Sequence, residues 1–290
     1  MKLRSMLFVP ADSEKKLAKA TASAADALIL DLEDSVASSR KVDARIGAAK
    51  FISENSSRLK SQLFVRINPL DSGMAMDDLA AVVVPGIAGI MLPKTNSAAD
   101  IVRLGYCLDA LEAKAKIAQG SIVIVPVATE TAQAMLNMQS YTGEIPRLAA
   151  ITWGAEDLSA AIGAISNREE SGDLSPLYQL ANSMCLCAAA STGVLAIDTL
   201  YADFKDDAGL AVSCGISRRR GFRGRIAIHP AQVETINRVF SPSDAELAHA
   251  QRIVDAFSAQ PDVGTLSLDG VMLDKPHLTQ AFRTLSQVND

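Results

Sequence analysis

The sequence contains very few aromatic residues. One Trp, four Tyr and eight Phe stand among its 290 residues, which is 4% of the chain. A buried core must therefore be built mainly from Ala, Val, Leu and Ile, and few rings are present on which nucleic-acid bases could stack. The net charge of -5 also argues against a surface that follows phosphate backbones. We therefore expect no nucleic-acid partner.

Cysteine pairs and long apolar segments are also scarce. The four cysteines form no Cys-x-x-Cys motif, and Cys185 and Cys187 are two apart in a predicted helix, so they point in different directions. This usage indicates reduced thiols. The apolar stretch at the start is only a few residues long, and polar residues interrupt the longest uncharged run, 174–197. The sequence therefore predicts a cytoplasmic protein with no membrane partner.

Eight short apolar runs rich in β-branched residues recur along the chain. Stretches with helical periodicity separate most of them, which is typical of repeated βα units and a parallel sheet. Eight strands are more than a doubly wound sheet usually has, and no Gly-rich phosphate-binding motif follows any run. We therefore predict a TIM (β/α)8 barrel. The predicted strands are 4–10, 27–33, 63–68, 89–94, 122–130, 149–157, 194–199 and 225–230, and the clearest helices are 13–24, 40–55, 98–115 and 174–190.

The predicted barrel accounts for residues 1–240. Residues 241–290 are predicted to form a C-terminal helical appendage, which begins with a capped helix over 241–259 and ends in another helix. A barrel does not need this last part.

Two carboxylates, Glu130 and Asp157, lie at the predicted C-terminal ends of consecutive strands. In a barrel these ends share one rim, where barrel enzymes carry their active sites. Two carboxylates with room left for water and substrate oxygens suit Mg²⁺. The alternative is that one of them caps the following helix, and Asp157 is well placed for that. The spacing alone leaves both interpretations open.

Arg66 ends another predicted strand, and a guanidinium at a barrel mouth suits a substrate carboxylate or a developing enolate. A salt bridge to the acidic residues of the neighbouring strand end, Asp31, Glu33 and Asp34, explains it equally well. These three could hold waters of a metal, orient Arg66 or begin a helix. We favour a supporting role around the metal and the arginine.

Five arginines crowd the segment 217–225, just before the eighth predicted strand. In an acidic protein this density suggests a phosphate-bearing ligand, although a solvated loop or salt bridges between subunits explain it about as well. His229, at the end of the eighth strand, is a candidate base, but an imidazole held before proline is more often structural.

Several motifs occur in one order along nearly the whole chain and together resemble a known family. They resemble the citrate lyase beta-subunit-like proteins, which belong with the malyl-CoA and citramalyl-CoA lyases in the wider aldolase and citrate lyase family. The combination is specific, whereas no single motif is. The motifs are RSMLFVPA, LDLEDSV, VRIN, LPKT, ATETA, WGAEDL, AIDTLYADFKD, IHPAQV and LDGVMLDKPHL.

The resemblance implies a TIM barrel that uses Mg²⁺ to cleave or form the carbon-carbon bond of a 3-hydroxyacyl-CoA thioester. By position, Glu130 and Asp157 match the metal ligands, and Arg66 matches the arginine that grips the keto-acid, such as oxaloacetate, glyoxylate or pyruvate. The backbone N–H groups of Gly154 and Ala155 would receive the carboxylate of the keto-acid at a helix N-terminus.

The resemblance also implies more than one subunit. In the lyases that act on CoA thioesters, an Asp of the C-terminal appendage reaches the active site of a neighbouring subunit, and Asp274 matches it. We therefore expect a homo-oligomer, a trimer or a multiple of it, in which the appendage packs on a neighbour. Candidates for the CoA phosphates are Lys94 and the arginines of the basic segment, Arg218, Arg219, Arg220 and Arg223.

Three other functions stay open at this point. A citrate lyase beta subunit would act on citryl-acyl carrier protein, but the true beta subunit has Asn where His229 stands, which makes a carrier-protein partner the weaker expectation. A pyruvate-type class II aldolase would cleave a free hydroxy-keto-acid on the same barrel. A non-catalytic paralogue would serve as an assembly partner, yet it would not need the retained acid and Arg positions.

Overall fold

The computed structural model describes residues 1–289, and Asp290, the last residue of the predicted appendage, lies outside the described residues. Eight parallel strands form one sheet in the order β5-β4-β3-β2-β1-β8-β7-β6. The strands are β1 Ser5–Pro10, β2 Ala27–Asp31, β3 Gln62–Arg66, β4 Gly89–Leu92, β5 Val123–Pro126, β6 Ala150–Thr152, β7 Leu195–Asp198 and β8 Gly224–Ala227. Each predicted apolar run overlaps one of them, and β3 and β8 begin one residue before their runs.

The sheet curves into a ring that is nearly closed. Between β5 and β6, parallel bridges join Ile124 with Leu148 and Val127 with Thr152. Helices follow the strands in alternation, so the predicted (β/α)8 barrel is confirmed. They are α1 Glu14–Ala20, α2 Lys41–Asn55, α3 Ala75–Val82, α4 Ala98–Ala115, α5 Ala132–Asn137, α6 Glu156–Ile162, α7 Pro176–Thr192, α8 Asp207–Arg220 and α9 Gln232–Phe240. Within residues 1–289, no helix is both long enough and apolar enough to cross a membrane.

The interior of the barrel is filled mainly by aliphatic side chains, as the scarcity of aromatic residues predicts. Met6, Ile29 and Ile197 pack there with the ring of Phe64. The ring needs the absence of a side chain on the next strand, because a Cβ on Gly89 would lie 2.4 Å from it. Burial of this apolar surface is the main favourable contribution to folding.

The chain divides into two compact units, Leu3–Asn237 and a smaller one made of Met1–Lys2 with the residues from Arg238 onward. The smaller unit contains α10 Asp244–Ser258, β9 Thr265–Leu268, β10 Val271–Asp274 and α11 Lys275–Asn289. Its own core includes Phe257 and Leu273. The two strands form an antiparallel hairpin that the predicted helical appendage does not include. Its turn, Asp269-Gly270, has φ angles of 51° and 79°, which is the left-handed pair that favours Asp-Gly in tight hairpins.

Candidate active site at the carboxyl ends of the strands

Arg66 is fixed at the mouth of the barrel by the acidic residues that follow β2. Asp31 and Arg66 end the neighbouring strands β2 and β3 and are partners in the register. The guanidinium binds Asp31 with both arms of its fork, Nε to Oδ1 and Nη2 to Oδ2, each at 2.7 Å. Nη1 lies 3.0 Å from Oε2 of Glu33, and the ring of Phe8 packs 4.4 Å from the guanidinium carbon. These contacts fix the orientation of Arg66 while its five N–H groups leave capacity for a ligand.

The pair of Arg66 and Asp31 is ionised. Burial opposes the charge of Arg66, but the hydrogen bonds and negative charge of Asp31 outweigh it, and the pKa of Arg66 is raised. Burial also opposes ionisation of Asp31, yet Arg66 keeps the pKa of that carboxyl below its usual value. The salt bridge considered from the sequence is therefore present, and it orients the arginine toward the barrel mouth.

Glu33 and Asp34 hold the ammonium of Lys94. Nζ of Lys94 is hydrogen-bonded to Oε1 of Glu33 and lies 3.5 Å from Oδ2 of Asp34. Glu33 is buried, whereas the side chain of Asp34 is 57% exposed. Burial raises the pKa of Glu33, and the charges of Arg66 and Lys94 oppose that rise. The acidic residues thus contact Arg66, as one of the alternatives for them has it, and also Lys94; their expected role around a metal stays a prediction.

Glu130 is a buried carboxyl group with few contacts that would stabilise its ionised form. Because β5 ends at Pro126, Glu130 lies in the loop between β5 and α5, where only 4% of it is exposed. Its Oε2 accepts the backbone N–H of Lys94 at 2.5 Å. Burial raises the pKa of Glu130 to about 8; the negative charges of Asp157 and Glu33 add to the rise, and the contacts of Lys94 oppose it.

Asp157 lies in the first turn of α6 and does not cap that helix. The capping position is occupied by Ala155, and the carboxylate of Asp157 lies beside the ammonium of Lys94, with Oδ1 3.2 Å from Nζ. Lys94 therefore contacts Glu130 through its backbone and Asp157 through its side chain. The structure brings the two predicted metal ligands together around this one residue.

Negative charge is in excess at this mouth. Five carboxyl groups surround two cations, Arg66 and Lys94, so the acidic groups outnumber the cations by three. A buried carboxyl such as Glu130 is ionised only where positive charge compensates it, so a bound cation would favour its charged form. Among residues 1–289, no three His, Cys, Asp or Glu side chains are grouped to hold a metal, so an ion at Glu130 and Asp157 would take its other ligands from water or substrate. Mg²⁺ commonly binds in this way, and these residues fit it. The five carboxylates are Asp31, Glu33, Asp34, Glu130 and Asp157.

Gly154 makes room for Glu130. A Cβ at position 154 would lie 2.8 Å from Cγ and 3.1 Å from Oε1 of Glu130, so no larger residue fits without moving the carboxylate. The backbone N–H of Gly154 donates to Oγ1 of Thr129 at 3.2 Å. The structure thus gives Gly154 a different contact from the expected one with a substrate carboxylate. That expectation stays a prediction for Ala155, the next N–H along the chain.

A buried network that the sequence did not predict positions the segment before Asp157. Nε1 of Trp153 donates to Oδ1 of Asp198, the last residue of β7, at 2.8 Å. The other oxygen of Asp198 binds the guanidinium of Arg225 and the hydroxyl of Ser217. Trp153 is the only tryptophan of the chain and lies four residues before Asp157. The available signal was a single indole, which usually finds a hydrogen-bond partner when it is buried.

Four of the five arginines of the basic segment lie at the end of α8 or in the connection into β8, whereas Arg225 lies in β8 and contacts Asp198. Helix α8 ends at Arg220 and β8 begins at Gly224, so the connection between them is at the end where strands begin. Glu130 and Asp157 lie where strands end. This position does not fit the expected contact with the phosphates of a ligand that reacts at Glu130, and the ammonium of Lys94 is engaged by carboxylates instead. The arginines concerned are Arg218, Arg219, Arg220 and Arg223.

His229 has structural contacts. Its ring stacks on Phe204 with centroids 4.7 Å apart, and its Nδ1 accepts the backbone N–H of Ala231 at 3.2 Å. These contacts agree with the structural alternative for this residue.

Asp274 belongs to the C-terminal unit, where it ends β10. Its Oδ1 lies 2.5 Å from Nδ1 of His277, and its side chain is 37% exposed. The carboxylate is therefore accessible and has a single imidazole neighbour in the hydrogen bonds of the described residues. Its role in proton exchange stays a prediction.

The sequence matches a family model over most of its length. The model, HpcH/HpaI aldolase/citrate lyase, covers residues 4–230. The chain belongs to this family. The resemblance seen in the motifs is thereby confirmed, and with it the assignment to a family of lyases.

Individual relatives and one solved structure extend the match to the whole chain. The (3S)-malyl-CoA thioesterase of Cereibacter sphaeroides is 34% identical over 286 residues, 98% of this chain and 94% of the relative. The mitochondrial citramalyl-CoA lyase of Homo sapiens is 31% identical over 98% of this chain and 84% of the relative. The crystal structure of CitE from Mycobacterium tuberculosis with magnesium, acetoacetate and coenzyme A has 30% identity and a TM-score of 0.79, covering 99% of this chain and 98% of that one.

Proposed function

We propose that this protein is a Mg²⁺-dependent lyase that cleaves the carbon-carbon bond of a 3-hydroxyacyl-CoA thioester into acetyl-CoA and a keto-acid. One observation carries the proposal: Glu130 and Asp157 meet around Lys94 in an excess of negative charge, beside an arginine that Asp31 fixes. The relative crystallised with magnesium and coenzyme A supports it.

The reaction requires loss of the hydroxyl proton, cleavage of the bond between C2 and C3, and protonation of the departing acyl enolate. A divalent ion at Glu130 and Asp157 would supply Lewis-acid stabilisation of the substrate oxygens. Arg66, held by Asp31, binds the carboxylate of the keto-acid and stabilises negative charge that develops on oxygen. Since its fork is already oriented, little reorganisation is needed when that charge appears.

Asp274 is the proposed acid-base group. In the cleavage direction its protonated carboxyl donates a proton to the methylene carbon of the acetyl-CoA enolate, which becomes the methyl group, and in the reverse direction the carboxylate removes a proton from that methyl group. We propose that it acts in the active site of a neighbouring copy in a homo-oligomer. A monomer by light scattering at micromolar concentration would contradict this part of the proposal.

The decisive assay offers malyl-, citramalyl- and citryl-CoA to the protein with Mg²⁺ or with EDTA. We expect release of glyoxylate, pyruvate or oxaloacetate, together with acetyl-CoA, from one of these thioesters, and loss of that release in EDTA. No metal-dependent keto-acid from any of the three would contradict the proposal. The Asp274→Asn variant separates it from a pyruvate-type aldolase: the lyase should lose turnover and keep ligand binding, whereas an aldolase that does not use the C-terminal unit should be unaffected.

Hydrolysis of the thioester is a second candidate. It is favoured by the relative named (3S)-malyl-CoA thioesterase, which matches this chain along 98% of its length. Hydrolysis yields free coenzyme A and the hydroxy-acid, whereas the lyase reaction yields acetyl-CoA, which has no free thiol. A thiol reagent added to the same assay therefore distinguishes them: thiol without keto-acid indicates hydrolysis.

A further inference from the structure

Lys94 has two kinds of contact with the proposed metal ligands. Its backbone N–H donates to Oε2 of Glu130 at 2.5 Å, and its ammonium lies 3.2 Å from Oδ1 of Asp157. The ammonium is also hydrogen-bonded to Glu33 and lies 3.5 Å from Asp34. Its φ of 49° is in the left-handed region, which few residues other than Gly, Asn and Asp adopt. A conformation of that cost is kept only where surrounding contacts hold it.

The ammonium of Lys94 is a lasting positive charge. A lysine ammonium is ordinarily charged at neutral pH, and the side chains that it contacts here are the carboxylates of Glu33, Asp34 and Asp157. The side chain is 30% exposed, so its flexible stem has room to move.

We propose that the ammonium of Lys94 is the internal counter-ion of the metal site: it binds Asp157 while the site holds no metal, and a divalent ion must displace it from Asp157 in order to bind. The inference rests on the proposed function, because it assumes that Glu130 and Asp157 are the ligands. After displacement the ammonium keeps its contact with Glu33. Lys94 is thus a positioning residue that also sets how weakly the ion binds.

The competition follows from charge and distance. A divalent ion and an ammonium that share one carboxylate lie close together and repel each other, because the two like charges are only partly screened at a protein surface. A simple support role makes the opposite prediction. If Lys94 only arranged the ligands for the ion, its loss would leave them disordered and binding would weaken.

The test is a titration of the metal-free protein with Mn²⁺, in which free Mn²⁺ is measured by electron paramagnetic resonance. We expect Lys94→Met to bind Mn²⁺ about tenfold or more tightly than the wild type, because a competing charge is removed. Met is unbranched like Lys and meets the same backbone cost at φ 49°. Lys94→Gln provides the same test with a polar head group, should the Met variant not fold. Lys94→Arg keeps the charge and is expected to bind Mn²⁺ as weakly as the wild type.

Two controls make each outcome decisive. Lys50→Met removes a lysine from the exposed face of α2, and its Mn²⁺ affinity is expected to equal that of the wild type. Glu130→Gln shows whether the ion binds at the proposed ligands. If Glu130→Gln abolishes binding but Lys94→Met and Lys94→Gln bind equally or more weakly than the wild type, the counter-ion inference is wrong and the proposed metal site stands. If the wild type binds no Mn²⁺ that depends on Glu130, both are wrong.

The fluorescence of the single tryptophan gives an independent measurement of Mn²⁺ binding. Trp153 lies four residues before Asp157, and its indole is hydrogen-bonded to Asp198. We expect Mn²⁺ to quench its fluorescence with the affinity found by resonance, and at lower Mn²⁺ concentration in Lys94→Met. A quenching curve that is identical in Lys94→Met and the wild type would contradict the inference.

Discussion

Two buried glutamates at opposite ends of the barrel have opposite environments. Glu112, near the end of α4, is fully buried and accepts the backbone N–H groups of Gly120 and Ile122 at 2.8 and 2.9 Å. Both terminal nitrogens of Arg147 donate to it, at 2.9 and 2.6 Å. Glu130 has the N–H of Lys94 and, close by, other carboxylates. Desolvation acts on both, yet these contacts lower the pKa of Glu112 to about 2, whereas that of Glu130 is raised to about 8.

The difference separates stability from function. At the end where strands begin, the charge of Glu112 is matched by donors that tie α4 to the starts of β5 and β6. At the end where strands finish, Glu130 has fewer donors, and its ionised form would be stabilised by a bound cation. Strongly shifted groups of the second kind are typical of sites that act on a ligand. We therefore expect Glu112 to matter for unfolding and Glu130 for turnover.

The largest expected effect is on turnover in Glu130→Gln. Losing one ligand of the ion that stabilises developing charge should lower kcat/KM by about 10³-fold, as for other electrostatic groups in active sites. The unfolding temperature of the metal-free variant should equal or exceed that of the wild type, because a neutral amide replaces a carboxyl whose ionised form is opposed by burial and by the charges of Asp157 and Glu33. Keto-acid release and calorimetry measure the two quantities. If Glu130→Gln lost as much unfolding free energy as a Glu112 variant, the proposed difference between the two glutamates would be wrong.

Glu112→Gln should show the reverse pattern. Neutralising one partner of a buried ion pair leaves Arg147, whose side chain is 6% exposed, with the more exposed Asp109 as its carboxylate partner, and we expect a cost of about 3 kcal/mol of unfolding free energy. Turnover measured well below the unfolding temperature should match the wild type. A drop in kcat/KM at that temperature, with the fold intact, would show that the two ends are not independent.

The positions of the helices and strands that carry these residues could be predicted from the sequence, whereas the contacts of their side chains could not. The helix α4 was predicted with its bounds, and the runs that end in Glu130, Asp157 and Arg66 placed these side chains on one rim, because parallel strands end together. Contacts made by side chains across the rim, such as the ammonium of Lys94 on Asp157, depend on rotamers that periodicity does not encode.

Two features of the structure that the predictions did not include have signals in the sequence. Arg218, Arg219, Arg220 and Arg223 precede a strand, and residues before a parallel strand lie at the opposite end from residues after it, so their position away from Glu130 follows from the order of elements. The hairpin of the C-terminal unit was signalled by Asp269-Gly270 between short apolar runs.

A third prediction concerns pH and sharpens the role of Glu112. Its pKa of about 2 in the folded protein lies below the ordinary value of 4.5, so its charge stabilises the fold above pH 4.5, and that contribution is lost as pH falls from 4.5 toward 2. The difference in unfolding free energy between wild type and Glu112→Gln should therefore be constant near neutral pH and shrink on acidification over this range. A difference that grows on acidification would contradict the assigned environment.

A smaller effect is expected from Gly154→Ala, which tests how tightly the other glutamate is packed. Its added Cβ would meet Cγ of Glu130 at 2.8 Å and Cγ1 of Val127 at 3.3 Å, and Gly154 is not among the glycines with left-handed φ. The cost is therefore displacement of the carboxylate, and we expect Mn²⁺ to bind about tenfold more weakly. Unchanged Mn²⁺ affinity in the resonance titration would mean that the side chain of Glu130 can move to make room for the Cβ and still bind the ion.

The smallest effect is expected from Gly105→Ala, the matching change at the end that holds Glu112. Gly105 lies within α4, and an added Cβ would lie 3.6 Å from Cδ of Arg147, an ordinary van der Waals distance. Ala in place of Gly inside a helix stabilises it by about 0.5–1 kcal/mol, so the unfolding temperature should rise by about 2 °C, with turnover unchanged. Glu112 sets the position of Arg147, so the added Cβ fits only if Arg147 leaves room for it beside α4. A fall in unfolding temperature would therefore show that the arginine is held closer to α4 than its contacts indicate.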